Sequence, residues 1–291
     1  PVLTKEYQFV APVYLRHKYD GTITNNIVYN LTRALYGKRI RQPIGGDFAF
    51  SRDVARFYVD QDVWDTDVAR YGIDIWMTTN AVTQGFRTCQ SNLGVKIHDA
   101  KDPGQHLGPM FRQVIWTLFS LMENYEEHWK KVRGSEPLEI FGFEGSIEPE
   151  AVKVDLDGMI ERFKVGYQQF SSLWKDIFCE TCFKEIQKAA AMDAKKFVFP
   201  TDSWVRILYE LAATFHAWKV NRLKLIELVT PLYYARVASF VKQSMKMSSH
   251  EAEQLVEEQA VKFEKHKDYL IEVWDKKSKE KKKRKRWRSK D

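Results

Sequence analysis

From about residue 156 the sequence is dominated by a single periodicity, and this limits the back half of the chain to helices. Apolar residues recur at three- and four-residue intervals through 156–190, 202–222, 223–247 and 249–275, the pattern of helices that bury one face. Pro200 precedes the second segment, with Thr201 or Asp202 placed to cap it, and Ser248-x-x-Glu251 is a capping box opening the last. The first 134 residues read differently: short apolar runs alternate with loops carrying Gly, Pro, Asn and Asp. The expected organisation is a mixed α/β part over 1–134, an all-α part over 135–275 and a basic, disordered or frayed-helix tail over 276–291, with a Gly-, Pro- and Glu-rich loop at 134–155.

Charge follows the same division. The chain carries +7 in all, but Lys276–Asp291 holds eleven Lys and Arg against Glu280 and Asp291, so the remaining 275 residues sum to −2 (+7 less +9). A near-neutral body with a basic end does not describe a dedicated nucleic-acid binder. The run Lys281–Arg286 with Trp287 still allows a weak contact with polyanions or an anionic membrane. No stretch reaches the roughly 18 apolar residues of a membrane span. The chain opens on Pro1 in what reads as mid-domain sequence, and it is expected to be part of a longer protein. Cys89, Cys179 and Cys182 cannot form a disulfide framework, which points to a reducing, cytoplasmic setting. Cys179-x-x-Cys182 has no second pair for a zinc site, and the expectation is two ordinary helix cysteines on one face.

Within the first part, 6–15 has strand character and Arg16–Gly21 reads as a turn. Ile23, Ile27, Leu31 and Leu35 form one helix face closed by Gly37. Pro43 and Gly45-Gly46 break the following segment, and Ser51 caps the next helix. A helix is expected after Tyr71-Gly72, strand character around Val95 and Ile97, and a long helix over 108–132. Three polar or glycine-bearing segments, 19–26, 42–52 and 71–100, lie at the edges of these elements, where α/β proteins place ligands. Asp74, opening an apolar helix, is either a dipole partner or an active carboxylate. His98, at a strand end, is either structural or a ligand for a divalent cation. Gly45-Gly46-Asp47 is either a plain turn or a loop whose missing Cβ atoms admit a sugar or diphosphate.

Four motifs stand in order: Gly21-Thr22-Ile23-Thr24, Gln42-Pro43-Ile44-Gly45-Gly46-Asp47, Tyr71-Gly72-Ile73-Asp74-Ile75 and Asn92-Leu93-Gly94-Val95-Lys96-Ile97-His98. Together they resemble the glucosyl-3-phosphoglycerate and mannosylglycerate synthases, retaining glycosyltransferases of the GT-A fold. The resemblance implies the C-terminal half of a GT-A nucleotide-diphospho-sugar transferase domain followed by a helical region. It implies transfer of a hexose from a nucleotide-diphosphate sugar donor to a small hydroxylated, hydroxy-acid-like acceptor, dependent on Mg²⁺ or Mn²⁺. Asp74 would be the catalytic carboxylate and His98 a metal ligand. Gly21, Thr22 and Thr24 would hold the acceptor, and Gly45, Gly46, Asp47 and Lys96 the donor.

The family's metal-binding D-x-D has no counterpart before Gly21, so the nucleotide-binding half is expected outside this chain; Asp65-Thr66-Asp67 and Asp155-Leu156-Asp157 lie elsewhere. Asp99-Ala100 stands where phosphoglycerate-using members carry Arg-Asn, which leaves the acceptor open. The alternative reading is a non-catalytic helical scaffold or polyanion-binding protein that uses the basic tail. In either case the helical region could carry a homodimer contact.

Overall fold

The computed structural model describes residue 2 and residues 6–96, 108–143, 145, 149–218 and 221–288. Two compact units are present: residues 1–154 with 246–264, and 155–245 with 265–291. The division falls at 154/155 rather than 134/135, and a helix from the all-helical region belongs to the first unit.

The first unit starts with β1 (Phe9–Leu15), buried at Phe9–Pro12 and half-buried from Val13 onward. A wide π turn, Thr24–Val28, leads into α1 (Tyr29–Tyr36). As expected, Gly37 closes it in the left-handed region, at φ 72°. Short strands β2 (Lys38–Arg39) and β3 (Ala49–Phe50) follow, then α2 (Arg52–Val59), whose first turn is capped by the Ser51 hydroxyl accepting from the Val54 N–H. Next come α3 (Ile73–Thr83) and β4 (Thr88–Val95). The expected helix over 108–132 is interrupted at Tyr125, giving α4 (Gly108–Asn124) and α5 (Glu126–Lys131). The expected loop at 134–155 contributes β5 (Glu136–Pro137) and β6 (Ile140–Phe141).

The main sheet has the order β3-β1-β4-β6, with β1 antiparallel to β3 and parallel to β4, and β4 parallel to β6. A two-stranded parallel sheet joins β2 to β5. The β1–β4 register runs from Phe9↔Thr88 to Val13↔Asn92 and then shifts to Leu15↔Val95. Gly94, at φ +77°, supplies the backbone conformation this bulge needs. Pairing continues past it, with the Lys96 N–H donating to the Leu15 carbonyl at 3.1 Å. Two parallel strands thus end together, placing Tyr14–Arg16 beside Lys96.

The second unit is helical: α6 (Leu156–Ile177), α7 (Glu180–Ala191), α8 (Thr201–Ala217) and α9 (Arg222–Ser244). The helix expected over 156–190 is two helices, because Phe178 and Cys179 are extended, at ψ 151° and 159°. Gly166 of α6 meets Pro231 of α9 so closely that a Cβ there would collide with the proline ring. The Trp174 indole donates to the Leu228 carbonyl at 3.0 Å, three residues before the helix-interior Pro231.

The segment expected as one helix over 249–275 is also two. α10 (Ser249–Lys265) has its capping box in place: the Ser248 N–H donates to Glu251 Oε2 at 2.7 Å and the Glu251 N–H to Ser248 Oγ at 3.2 Å. α11 (Lys267–Arg288) runs well beyond the expected start of the tail at 276. Lys277 holds it there, donating to the Ile177 carbonyl at 2.8 Å and Thr214 Oγ1 at 2.6 Å.

α10 is fixed to the first unit by ion pairs. Arg33 of α1, only 3% exposed, donates to Glu257 at 2.6 Å and Glu264 at 3.0 Å, and Arg41 forms a two-pronged bond to Glu253 at 2.7 and 2.8 Å. No helix among the described residues is long and apolar enough to cross a membrane.

Candidate functional site

The parallel strand ends and the loops around them gather most of the residues that the motifs single out. Asp74 lies in the first turn of α3. Gly72, just before it, leaves no room for a Cβ against Thr117 of α4 and the Asp67 carbonyl, and this seats the start of α3. Facing Asp74 is Gly46, at φ +92°, where a Cβ would sit 3.9 Å from Asp74 Oδ2. The neighbouring Asp47 accepts from Lys96 Nζ at 2.5 Å and from the Tyr14 hydroxyl at 2.7 Å, and the Lys96 ammonium lies 4.2 Å from the Tyr14 ring centroid. Asp74, Gly46, Asp47 and Lys96 therefore lie close together.

Asp74 has no hydrogen bond or ion pair of its own among the described residues. Burial raises its pKa to about 6, the negative charge of Asp47 adds to the rise, and Lys96 and Arg16 oppose it. Asp47 moves the other way, held below the usual carboxylate range by its bonds to Lys96 and Tyr14. The two carboxylates are therefore shifted in opposite directions.

A small polar cleft adjoins, lined by Tyr14, Arg16, Asp20, Thr24, Arg41 and Glu253 among others. Gly21 lies at its edge in the left-handed region, at φ +77°, where a Cβ would be 3.5 Å from the Arg16 guanidinium. Thr24 opens the π turn, in which the Tyr29 N–H reaches back to the Thr24 carbonyl; such turns are frequent at ligand sites. Arg16 pairs with Asp20 at 3.6 Å, yet its Nε is buried with no acceptor. Burial lowers the pKa of this guanidinium, and Asp20 works against the fall.

Other expected positions fall differently. Thr22 is 4% exposed and its carbonyl accepts from Asn26 Nδ2 at 3.0 Å, so its backbone serves the helix start. Gly45 is buried, and a Cβ there would collide with the Pro12 ring; packing requires this glycine. His98 lies outside the described residues. Among those described, Asp47 is engaged by Lys96 and Tyr14, and no three His, Cys, Asp or Glu side chains gather here as a metal cage.

Tyr14, Arg16, Arg41 and Glu253 complete the cleft but belong to none of the four motifs. The run 6–15 signalled only a strand, and its end acquires meaning once β4 is paired beside it. Glu253 had no local signal, because it reaches the cleft through α10. No known family model matches the sequence, and no curated protein sequence matches it.

Proposed function

We propose that the first unit is part of a GT-A-type glycosyltransferase domain that transfers a hexose from a nucleotide-diphosphate sugar to a small hydroxy acid, retaining configuration at the transferred carbon. The observation that carries this reading is Asp74, a half-buried carboxylate without a partner, set against Gly46 and beside the cations Lys96 and Arg16.

The chemistry asks for these groups. Breaking the glycosyl–phosphate bond leaves negative charge on the departing diphosphate, which the cations Lys96 and Arg16 near Asp74 would offset. Positive charge grows on the sugar carbon, and an ionised Asp74 would stabilise it. Gly46, whose Cβ would sit 3.9 Å from Asp74 Oδ2, keeps side-chain atoms away from that carboxylate. The buried, unsatisfied Arg16 Nε beside Gly21 and Thr24 suits the carboxylate of a hydroxy-acid acceptor. With a pKa of about 6, Asp74 would be ionised above that pH, so turnover should fall as the pH drops through 6. A divalent ion bound through His98 would supply further charge neutralisation on the diphosphate. A cytoplasmic setting suits such donors.

The test is transfer by the full-length protein across nucleotide-diphosphate hexoses and small hydroxy acids, with Mg²⁺ or Mn²⁺ present. Asp74→Asn should lower turnover by about a hundredfold or more, and Arg16→Gln should mainly raise the acceptor KM. The proposal fails if no donor is consumed, or if Asp74→Asn turns over donor as fast as the wild type.

A further inference from the structure

The Cys179-x-x-Cys182 motif occupies a break between helices. Cys179 is the N-cap of α7 and is exposed, while Cys182, one turn in, is 2% exposed. The Cys182 N–H donates to the Cys179 sulfur at 3.5 Å. Glu210 of α8, also 2% exposed, turns its carboxylate onto the pair. Its Oε2 accepts from the Cys179 N–H at 2.7 Å and its Oε1 from the Cys182 thiol at 3.5 Å. The Tyr269 hydroxyl of α11 reaches Glu210 Oε1 and lies 3.7 Å from the Cys179 sulfur. Both sulfurs and the carboxylate oxygen are within 4.8 Å of one another.

From this geometry we infer that Cys179 and Cys182 form a thiol–disulfide exchange site, with Cys179 the attacking sulfur, Cys182 the resolving sulfur and Glu210 the proton acceptor for Cys182. The co-reactant is a low-molecular-weight disulfide. The Cys179 thiolate attacks one sulfur of that disulfide, forming a mixed disulfide and releasing one thiolate. Cys182 then passes its proton to Glu210 and attacks the Cys179 sulfur, expelling the second thiolate. The cysteine pair loses two electrons and two protons, and the small disulfide becomes two thiols. Only the exposed sulfur can be reached from solvent, which fixes the order of attack. Burial, with the adjacent Glu210, pushes the Cys182 thiol up, so its attack requires the base that Glu210 provides. Buried Cys89, in the other unit, has no cysteine partner and should remain a thiol throughout.

The experiment equilibrates the full chain with reduced and oxidised glutathione, followed by intact mass and peptide mapping. The expected result is an internal Cys179–Cys182 disulfide, lighter by two hydrogens. Cys182→Ser should accumulate a glutathione adduct at Cys179, and Cys179→Ser should form neither product. Glu210→Gln should slow closure of the mixed disulfide roughly a hundredfold. The inference is overturned if the wild type forms no internal disulfide over the glutathione range, or if Cys182→Ser gains no adduct. It is also overturned if the purified chain holds one equivalent of Zn²⁺ that blocks both thiols and is lost in either serine variant, since the cluster would then be a metal site.

Discussion

Both units bury aromatic rings, but the first buries many more amide and hydroxyl side chains beside them than the second. Asn25, Asn26, Asn30, Thr32, Thr78, Thr79, Asn80 and Gln90 are all buried along and around α1, α3 and β4. Several of their polar atoms, including Asn30 Oδ1, Thr32 Oγ1 and Thr79 Oγ1, have no partner. In the second unit the interior is Trp174, Trp204 and Trp274 with Phe163, Phe197 and Phe199, and the Trp274 ring stacks on His216 at 4.3 Å. Apolar burial stabilises without demanding geometry, whereas a polar interior holds only where each group finds its partner. The polar interior is the one that carries Asp74 and the cleft; the aromatic one has fewer buried polar groups, and Glu210 with its cysteines is the main cluster among them.

Substitutions can break this comparison. The largest expected effect is Trp274→Ala, which empties the aromatic interior of the second unit and should cost about 4 kcal/mol in urea unfolding. Arg33→Met should cost about 3 kcal/mol, because Glu257 and Glu264 then lose the buried cation that ties α10 to α1. If Arg33→Met were neutral, the ion pairs would be ornament and α10 would be held by apolar contacts such as Phe263.

Asp74→Asn should act in the opposite sense. The folded pKa, about 6, lies above the unfolded 3.8, so the native state prefers the proton and the ionised carboxylate destabilises it. That penalty is complete above pH 6 and fades as the pH falls through 6 toward 4. The variant should therefore be about 2 kcal/mol more stable than wild type at pH 8, with the gap closing near pH 4. A gap independent of pH would mean that Asp74 is not strained. The smallest effect expected is from Gly46→Ala, at about 1 kcal/mol, from forcing a side chain into φ +92°. Its effect on sugar transfer should exceed its effect on stability.

Local signals in the sequence were followed closely by the fold. Gly37, Ser51 and Ser248 with Glu251 stop or start helices as their chemistry demands, and the glycine loops at Gly21 and Gly46 lie at the cleft and against Asp74. What could not be read is non-local or weakly coded. Cys179 is an unusual N-cap, so 156–190 looked continuous; its backbone is released there because Glu210, from another helix, takes its N–H. Tyr125 and His266 interrupt helices without glycine or proline. The two-residue strands β5 and β6 are too short to alternate. The return of α10 to the first unit depends on Arg33 and Arg41 meeting glutamates more than two hundred residues away. For the same reason Tyr14, Arg16 and Glu253 could not be assigned to the site from sequence.

The most direct test of the central claim, that Asp74 and the strand-end cations form a sugar-transfer site, is the pH dependence of donor turnover in wild type and Asp74→Asn under matched conditions. The account predicts a wild-type rate that falls as pH drops through about 6 and a variant that is at least a hundredfold slower and flat across that window. Equal rates and equal pH profiles for the two proteins would contradict it.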